Sequence, residues 1–235
     1  MRRHAIAGLL LLVLAITAMA EEPVTQNGKL FAAVSWTTDY RSNGISSSDR
    51  RPAIQASLHW RRPDDYYAGI WVSQVDFNDD STSFEFDTYA GRRFPVGKTE
   101  YRLELMYSAF DEDVPGPTYD FLQFKAAATH ALDQSSVTTS LRWSPNGAYG
   151  AGSTTYADVS ATLNLADWLS LSGVLGIGRI ERRPNRRFWN LGATAHWGSF
   201  YIDIRHVDTN LDYRACGFVD WCKPTIVATV TLANF

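Results

Sequence analysis

Sulfur is scarce in this chain: two cysteines and three methionines among 235 residues. The cysteines, Cys216 and Cys222, sit in CGFVDWC. As metal ligands they lack the two further ligands that a zinc site would need nearby. As a disulfide in an exported chain they close a small loop, worth about 2 kcal/mol by loop entropy. Long apolar runs are scarce too. Beyond Ile16 no stretch approaches the ~18 residues of a membrane helix. A dominant charge is also missing, with 22 basic residues against 25 acidic ones. That balance gives no reason to expect nucleic acid as a partner. The chemistry of hydrolysis is thin as well. His59, His130, His196 and His206 lie in no recognisable nucleophile motif, and no G-x-S-x-G occurs. An outer-membrane lipid hydrolase is therefore a rival class without a motif, and the sequence calls for no cofactor and no metal.

The first twenty residues read as a processing signal. Arg2, Arg3 and His4 form a positive head, residues 5–16 an apolar run, and Ala18-Met19-Ala20 a small-x-small cleavage site before Glu21. This is the pattern of a secretory signal peptide. It divides the chain into a leader at 1–20 and one domain at 21–235. Loss of Arg2 and Arg3 shifts the formal charge from −3 to −5.

What fills the rest is alternation. In Tyr101-Arg102-Leu103-Glu104-Leu105-Met106-Tyr107 the odd positions are apolar and Arg102 and Glu104 fall between them. Neighbours in a strand face opposite sides, so one face is greasy and the other charged. Ile54, Leu58 and Trp60 alternate with Gln55, Ser57 and His59; Leu141 and Trp143 alternate with Ser140 and Arg142. Segments of about ten residues with this period, separated by turns, mark a transmembrane β-barrel. Rings cluster at segment ends, at Trp36, Tyr40, Trp60, Tyr107, Trp143, Trp168, Trp189 and Trp197. Trp and Tyr favour the membrane interface. A soluble β-sandwich also alternates but has no need of ring-capped strands.

The expected fold is all-β, an antiparallel up-and-down barrel of about twelve strands, with ten and fourteen as the alternative counts. They are read near 29–40, 53–61, 66–76, 82–91, 99–109, 118–129, 136–144, 153–164, 168–178, 188–197, 200–207 and 224–234. Outer loops are expected at 41–52, 77–81, 110–117, 145–152, 179–187 and 208–223, and inner turns at 62–65, 92–98, 130–135, 165–167 and 198–199. The last strand runs to Phe235. In outer-membrane proteins a terminal aromatic is read by the β-barrel assembly machinery, as the likeness to that class implies.

Three blocks carry a family likeness: SWTTDYRSNGISSSDRRPAIQASLHW (35–60), YYAGIWVSQVDF (66–77) and FEFDTYAGRR (84–93). They resemble the TorF family of proteobacterial outer-membrane porins, with Tyr40, Gly44, Ile45, Ser46 and Ser48 in its first block and Tyr89, Ala90 and Gly91 in its third. Asn43-Gly44 stands where the family often has Arg-Gly, with Arg41 nearby. The likeness covers the first half of the chain and implies a porin-like role in the Gram-negative outer membrane, with no catalytic residues.

The barrel reading lists its own lumen. The expected pore-lining acids are Glu85, Asp87, Glu100, Glu104, Asp120, Asp158 and Asp203, and the bases Arg102, Lys125, Arg142 and Arg205. More acid than base implies a mildly cation-favouring channel for small hydrophilic solutes or ions. The alternative is a closed barrel, plugged by Glu85 and Asp87 opposite Arg102, that acts as a structural or interaction protein through its extracellular loops. Partners in either case are outer-membrane lipid and lipopolysaccharide. The basic run RIERRPNRR (179–187) offers phosphates a docking surface, a solvated charge run being the plainer reading. FDEDVPGP (110–117) lacks the ligand spacing of a dedicated calcium site.

Overall fold

The computed structural model describes residues 28–79, 81–112 and 118–234. The leader at 1–20 and the terminal Phe235 lie outside the described residues. The strands begin with β1 (Lys29–Thr37), β2 (Arg41–Ser42), β3 (Ile45–Ser46), β4 (Ala53–Arg61) and β5 (Tyr66–Gln74). Next come β6 (Phe84–Val96), β7 (Thr99–Phe110), β8 (Phe121–Ala131), β9 (Ser135–Gly147) and β10 (Gly152–Ala166). The last are β11 (Leu169–Ile180), β12 (Arg186–Trp197), β13 (Phe200–Thr209) and β14 (Thr225–Ala233). All but β2 and β3 form one closed barrel of twelve strands, ordered β1-β14-β13-β12-β11-β10-β9-β8-β7-β6-β5-β4. Every ladder is antiparallel, and β2 and β3 pair only with each other. Among the described residues no helix is long and apolar enough to cross a membrane.

The period-two pattern is converted by the ladders into two continuous faces. Leu105 stands opposite Phe124, which stands opposite Trp143, and all three are exposed on the outside. Glu104 stands opposite Lys125, and Lys125 opposite Arg142, on the inside. Ile70, Leu103, Leu141, Leu175, Leu191 and Ile204 make up the exposed apolar band. Rings border it at both ends: Trp60, Tyr66, Tyr101, Trp168 and Trp197 at the end where β1 starts and β14 stops, and Trp36, Tyr107, Trp143 and Trp189 at the far end. On β12, Trp189 and Trp197 are roughly 26 Å apart along the strand at ~3.3 Å per residue. An apolar belt of this order with aromatic girdles is the surface a hydrocarbon solvent requires.

The turns at the end where β1 starts are tight. The β12–β13 connection is Gly198-Ser199, where Gly198 takes φ +57° without steric cost. The long connections are all at the opposite end. Cys216 and Cys222 are joined by a disulfide in the connection between β13 and β14, beside a short 3₁₀ turn at Asp220–Cys222.

Most strand limits differ from the sequence reading by one to five residues, as β8 (Phe121–Ala131 against 118–129) and β9 (Ser135–Gly147 against 136–144) show, and three of the differences bear on the site. β1 stops at Thr37 because the chain then turns into the barrel. β6 continues to Val96, since its ladder with β7 persists to Val96 opposite Thr99. β12 starts two residues early, with Arg186 opposite Gly178.

A charge placed on the outer belt has no water and no partner. Leu141→Arg should destabilise the folded barrel in lipid by about 2–4 kcal/mol. Thr162→Arg, on the inner face, should cost under about 1 kcal/mol. Urea unfolding in liposomes reads both.

Candidate functional site

The inner wall carries its charge in local sets. Glu100 accepts from Arg93 Nη1 at 2.8 Å and from Arg102 Nη2 at 3.1 Å. Glu104 accepts from the Tyr67 hydroxyl at 2.9 Å and lies 3.6 Å from Lys125 Nζ. Asp158 accepts from Ser140 at 2.7 Å and from Arg142 Nη2 at 3.0 Å. Asp203 accepts from Thr194 and Arg205, each at 2.7 Å. Glu85 accepts from the Tyr40 hydroxyl at 3.0 Å. Asp87 stands opposite Trp71 and Ser108, and its Oδ1 is buried without a hydrogen-bond partner.

Asp120 takes a different place from the one expected. It precedes β8 and has the parity of the outward-facing Leu122 and Phe124, and it accepts from the Tyr107 hydroxyl and the Phe110 amide. The ladder also separates Arg102 from Glu85 and Asp87: Arg102 stands opposite Arg93 and Ala127. A plug built from those three residues is therefore not formed. Two basic residues that the sequence reading left in connections join the inner face. Arg93 continues the series Glu85, Asp87, Tyr89, Gly91, and Arg186 opens the series Phe188, Asn190. That alternation was the signal that could have found them. With Arg93 and Arg186 added and Asp120 removed, acids no longer outnumber bases on the inner wall.

The segment expected as an outer loop at 41–52 sends its tip into the barrel. Asn43 (φ 49°) and Gly44 (φ +86°) make the two-residue turn between β2 and β3, the backbone pair that a tight hairpin demands. Asp39 is the hub of this hairpin. Its carboxylate accepts from Arg41 Nε at 2.7 Å, from Ser46 at 2.6 Å and from Ser48 at 3.4 Å. The Arg41 and Asp39 side chains are 3% and 6% exposed. On one side Tyr40 reaches Glu85 on β6 and its ring packs edge-on against Trp71 at 5.3 Å. On the other, Asn43 Oδ1 accepts from Arg142 Nη2 on β9 at 2.9 Å. Gly44 lies so close to β12 and β13 that a Cβ there would meet Asp208 O at 2.8 Å and Phe188 Cβ at 3.1 Å. Strands β6 and β12 are six places apart in the ring of twelve, so the hairpin crosses the lumen from wall to opposite wall. Tyr40 is thus an interior ring and no part of the outer girdle.

Against the hairpin lies a cavity of about 410 Å³, lined by Tyr40, Asn43, Trp71, Arg142, Asn190 and Arg205 among others. At the rim, Asp49 joins three loops. It accepts from Trp221 Nε1 at 2.8 Å and Asn78 Nδ2 at 3.0 Å, and pairs with Arg51 at 3.0 Å. Burial opposes its ionisation, but the bonds from Trp221 and Asn78 and the charge of Arg51 outweigh burial and hold the carboxyl below its usual range. Rings from separate loops stack beside it, Phe77 on Tyr119 at 4.7 Å and Tyr119 on Tyr149 at 4.8 Å. The basic run at 179–187 is split by the fold. Arg183 covers Tyr149, Arg182 pairs with Glu181, and Arg186 points inward over Tyr156. Among the described residues no group of His, Cys, Asp and Glu is arranged to hold a metal ion.

Comparison with known proteins supports the architecture. A family described as "Bacterial protein of unknown function (Gcw_chp)" matches residues 18–234. No curated protein matches the sequence. Among solved structures, the KdgM porin superposes with a TM-score of 0.60 at 5% identity, over 86% of this chain and 97% of that one. An outer membrane channel from Pseudomonas putida F1 superposes with a TM-score of 0.52 at 10% identity, over 91% of this chain and 98% of that one. At such identities the likeness is one of fold.

Removing Asp39 strands a buried guanidinium, and breaking a buried pair in this way costs about 3–5 kcal/mol. The loss falls on the hairpin, since none of the barrel ladders includes Asp39. Asp39→Ala should therefore leave a folded barrel that trypsin cleaves after Arg41, where the parent chain resists. Digestion followed by mass spectrometry reads the difference.

Proposed function

The chain belongs to the Gcw_chp family of bacterial proteins of unknown function, and from that footing we propose that it is a porin of the Gram-negative outer membrane, passing small hydrophilic solutes or ions. The observation that carries this reading is the pairing of an apolar, ring-bordered exterior with a charge-bearing interior in one closed barrel. Charges on an inner wall are sustainable beside water and costly in a dry core. The likeness of residues 35–60, 66–77 and 84–93 to TorF-family porins supports the same role. Export by the leader at 1–20, insertion by assembly machinery that reads Phe235, and contact with lipopolysaccharide through the outer loops complete the proposal.

Selectivity in this proposal follows the wall as built. Acid and base are interleaved, so the lumen favours polar solutes over any strong preference for cations. The hairpin supports a second reading, a barrel closed at rest that acts through its loops, because it crosses the lumen between opposite walls.

One measurement separates the two. The purified barrel in a planar bilayer should show discrete single-channel steps. Replacing residues 41–46 by a two-glycine link removes the crossing and should raise the conductance severalfold. Silence from both forms, with the barrel folded by heat-modifiability, sinks the channel and leaves the closed barrel.

A further inference from the structure

We propose that the cavity against the hairpin is a binding site for a small carboxylate that also carries hydroxyl groups. The site deepens the channel reading and rests on it. Its first support is an imbalance in what the lining side chains have left to give. The acids are committed. Asp39 is occupied by Arg41, Ser46 and Ser48, and Asp158 by Ser140 and Arg142. The bases are not. Both hydrogen bonds of Arg142, to Asn43 and to Asp158, leave from Nη2, which keeps Nε and Nη1 as donors. The guanidinium is also fixed in place, with Cζ 5.3 Å from the centre of the Tyr156 ring. Arg41 gives Nε to Asp39 and Nη1 to Gly44 O, and its Nη2 is buried with no partner. Asn190 spends its carbonyl on Arg205 Nη1 at 3.0 Å, which leaves its amide NH₂ as a further donor. A surplus of donors around anchored positive charge is what a carboxylate complements, through charge-assisted hydrogen bonds.

Two further features narrow the ligand. Gln55 uses its Nε2 on Ser73 at 3.2 Å, so its carbonyl oxygen is left to accept, and a hydroxyl supplies the proton. Trp71 and Phe188 add apolar faces to the same lining, which suit the C–H side of a polyol. The volume sets the size. About 410 Å³ is near the lower end of the roughly 300–1,000 Å³ of ligand pockets, room for one small solute and not for a chain of linked units.

The test uses the full chain without its 1–20 leader, folded in detergent micelles. Sodium gluconate and sorbitol, its uncharged counterpart, are titrated by calorimetry. Gluconate should bind saturably at one site, with sorbitol at least tenfold weaker. Arg142→Gln should weaken gluconate at least tenfold and Asn190→Ala severalfold, with circular dichroism confirming that each barrel is folded. Equal affinity for gluconate and sorbitol overturns the site. So does the absence of gluconate heat in a barrel that conducts in bilayers, a result that spares the channel. Gluconate binding by a barrel that never conducts upholds the site and overturns the channel instead.

Discussion

Everything in this molecule depends on the closure between its first and last barrel strands. A strand edge in hydrocarbon exposes N–H and C=O groups that no solvent satisfies, so an open sheet cannot cross a membrane. Here the closing ladder is short. β1 pairs with β14 only from Ala33 opposite Ala233 to Thr37 opposite Thr229, whereas its ladder with β4 spans all nine of its residues. Groups beyond the short ladder complete it. The Ala32 amide donates to the Asn234 side chain, and Asn234 returns its own amide to Ala32 O at 3.1 Å. At the other end the Ala228 amide donates to Thr38 Oγ1 at 3.0 Å, and the Thr38 amide to Ala228 O at 2.9 Å. Inside, Ser35 meets Thr231 at 2.7 Å and Thr37 meets Thr229 at 2.9 Å. Short polar side chains thus extend a seam that backbone pairing alone leaves incomplete.

Closure makes an inside, and the inside explains the side chains placed there. Residues that point outward on β7 are Tyr101, Leu103, Leu105 and Tyr107, each exposed and none charged. Their neighbours Glu100, Arg102 and Glu104 turn toward one another and toward water. Each inward carboxylate that is paired finds its base on the same or an adjoining strand, as Glu100 does with Arg102 and Asp158 with Arg142. Short-range pairing of this kind holds the wall without filling the lumen. It leaves the crossing of the lumen to a separate piece of chain.

The barrel was legible because the period of two is enforced by both solvents at once. A one-residue slip would put Arg102 in lipid and Leu103 in water, so the pattern survives in nearly every strand. Strand ends were less legible. Arg92-Arg93 and the Arg-Pro-Asn run at 183–185 have turn-like composition, which hid the extension of β6 through Arg93 and the early start of β12 at Arg186. The hairpin was the least legible part. Arg41, Ser42, Asn43 and Ser46 are polar residues of the kind found in any exposed loop, and a wet lumen and the outside medium accept the same side chains. Only the Asn43-Gly44 turn had a local signature, and it says that the chain reverses without saying where the tip goes. The partners that place it, Glu85, Arg142 and Phe188, are distant in sequence.

The hairpin is a body of its own, and its bonds show why. The contacts that hold its shape are internal and buried: Asp39 to Arg41, Ser46 and Ser48, and Arg41 to Gly44. Those that hold it to the walls are few: Tyr40 to Glu85 and against the Trp71 ring, and Asn43 to Arg142, with Gly44 set close to Phe188. A hydrogen bond nets about 0.5–1.5 kcal/mol, and one to a charged group about 1.5–3 kcal/mol. The wall contacts therefore sum to a few kcal/mol, well within the range of local openings that leave a fold intact. Its base is tied more firmly, where the Asp76 amide donates to Ser47 O at 2.9 Å and Arg51 pairs with Asp76 at 2.7 Å. An element stiff within itself, anchored at its base and lightly held at its tip sets the width of the lumen by its position. The cavity beside it shares that dependence, because Asn43 and Tyr40 are at once wall contacts of the hairpin and lining of the cavity.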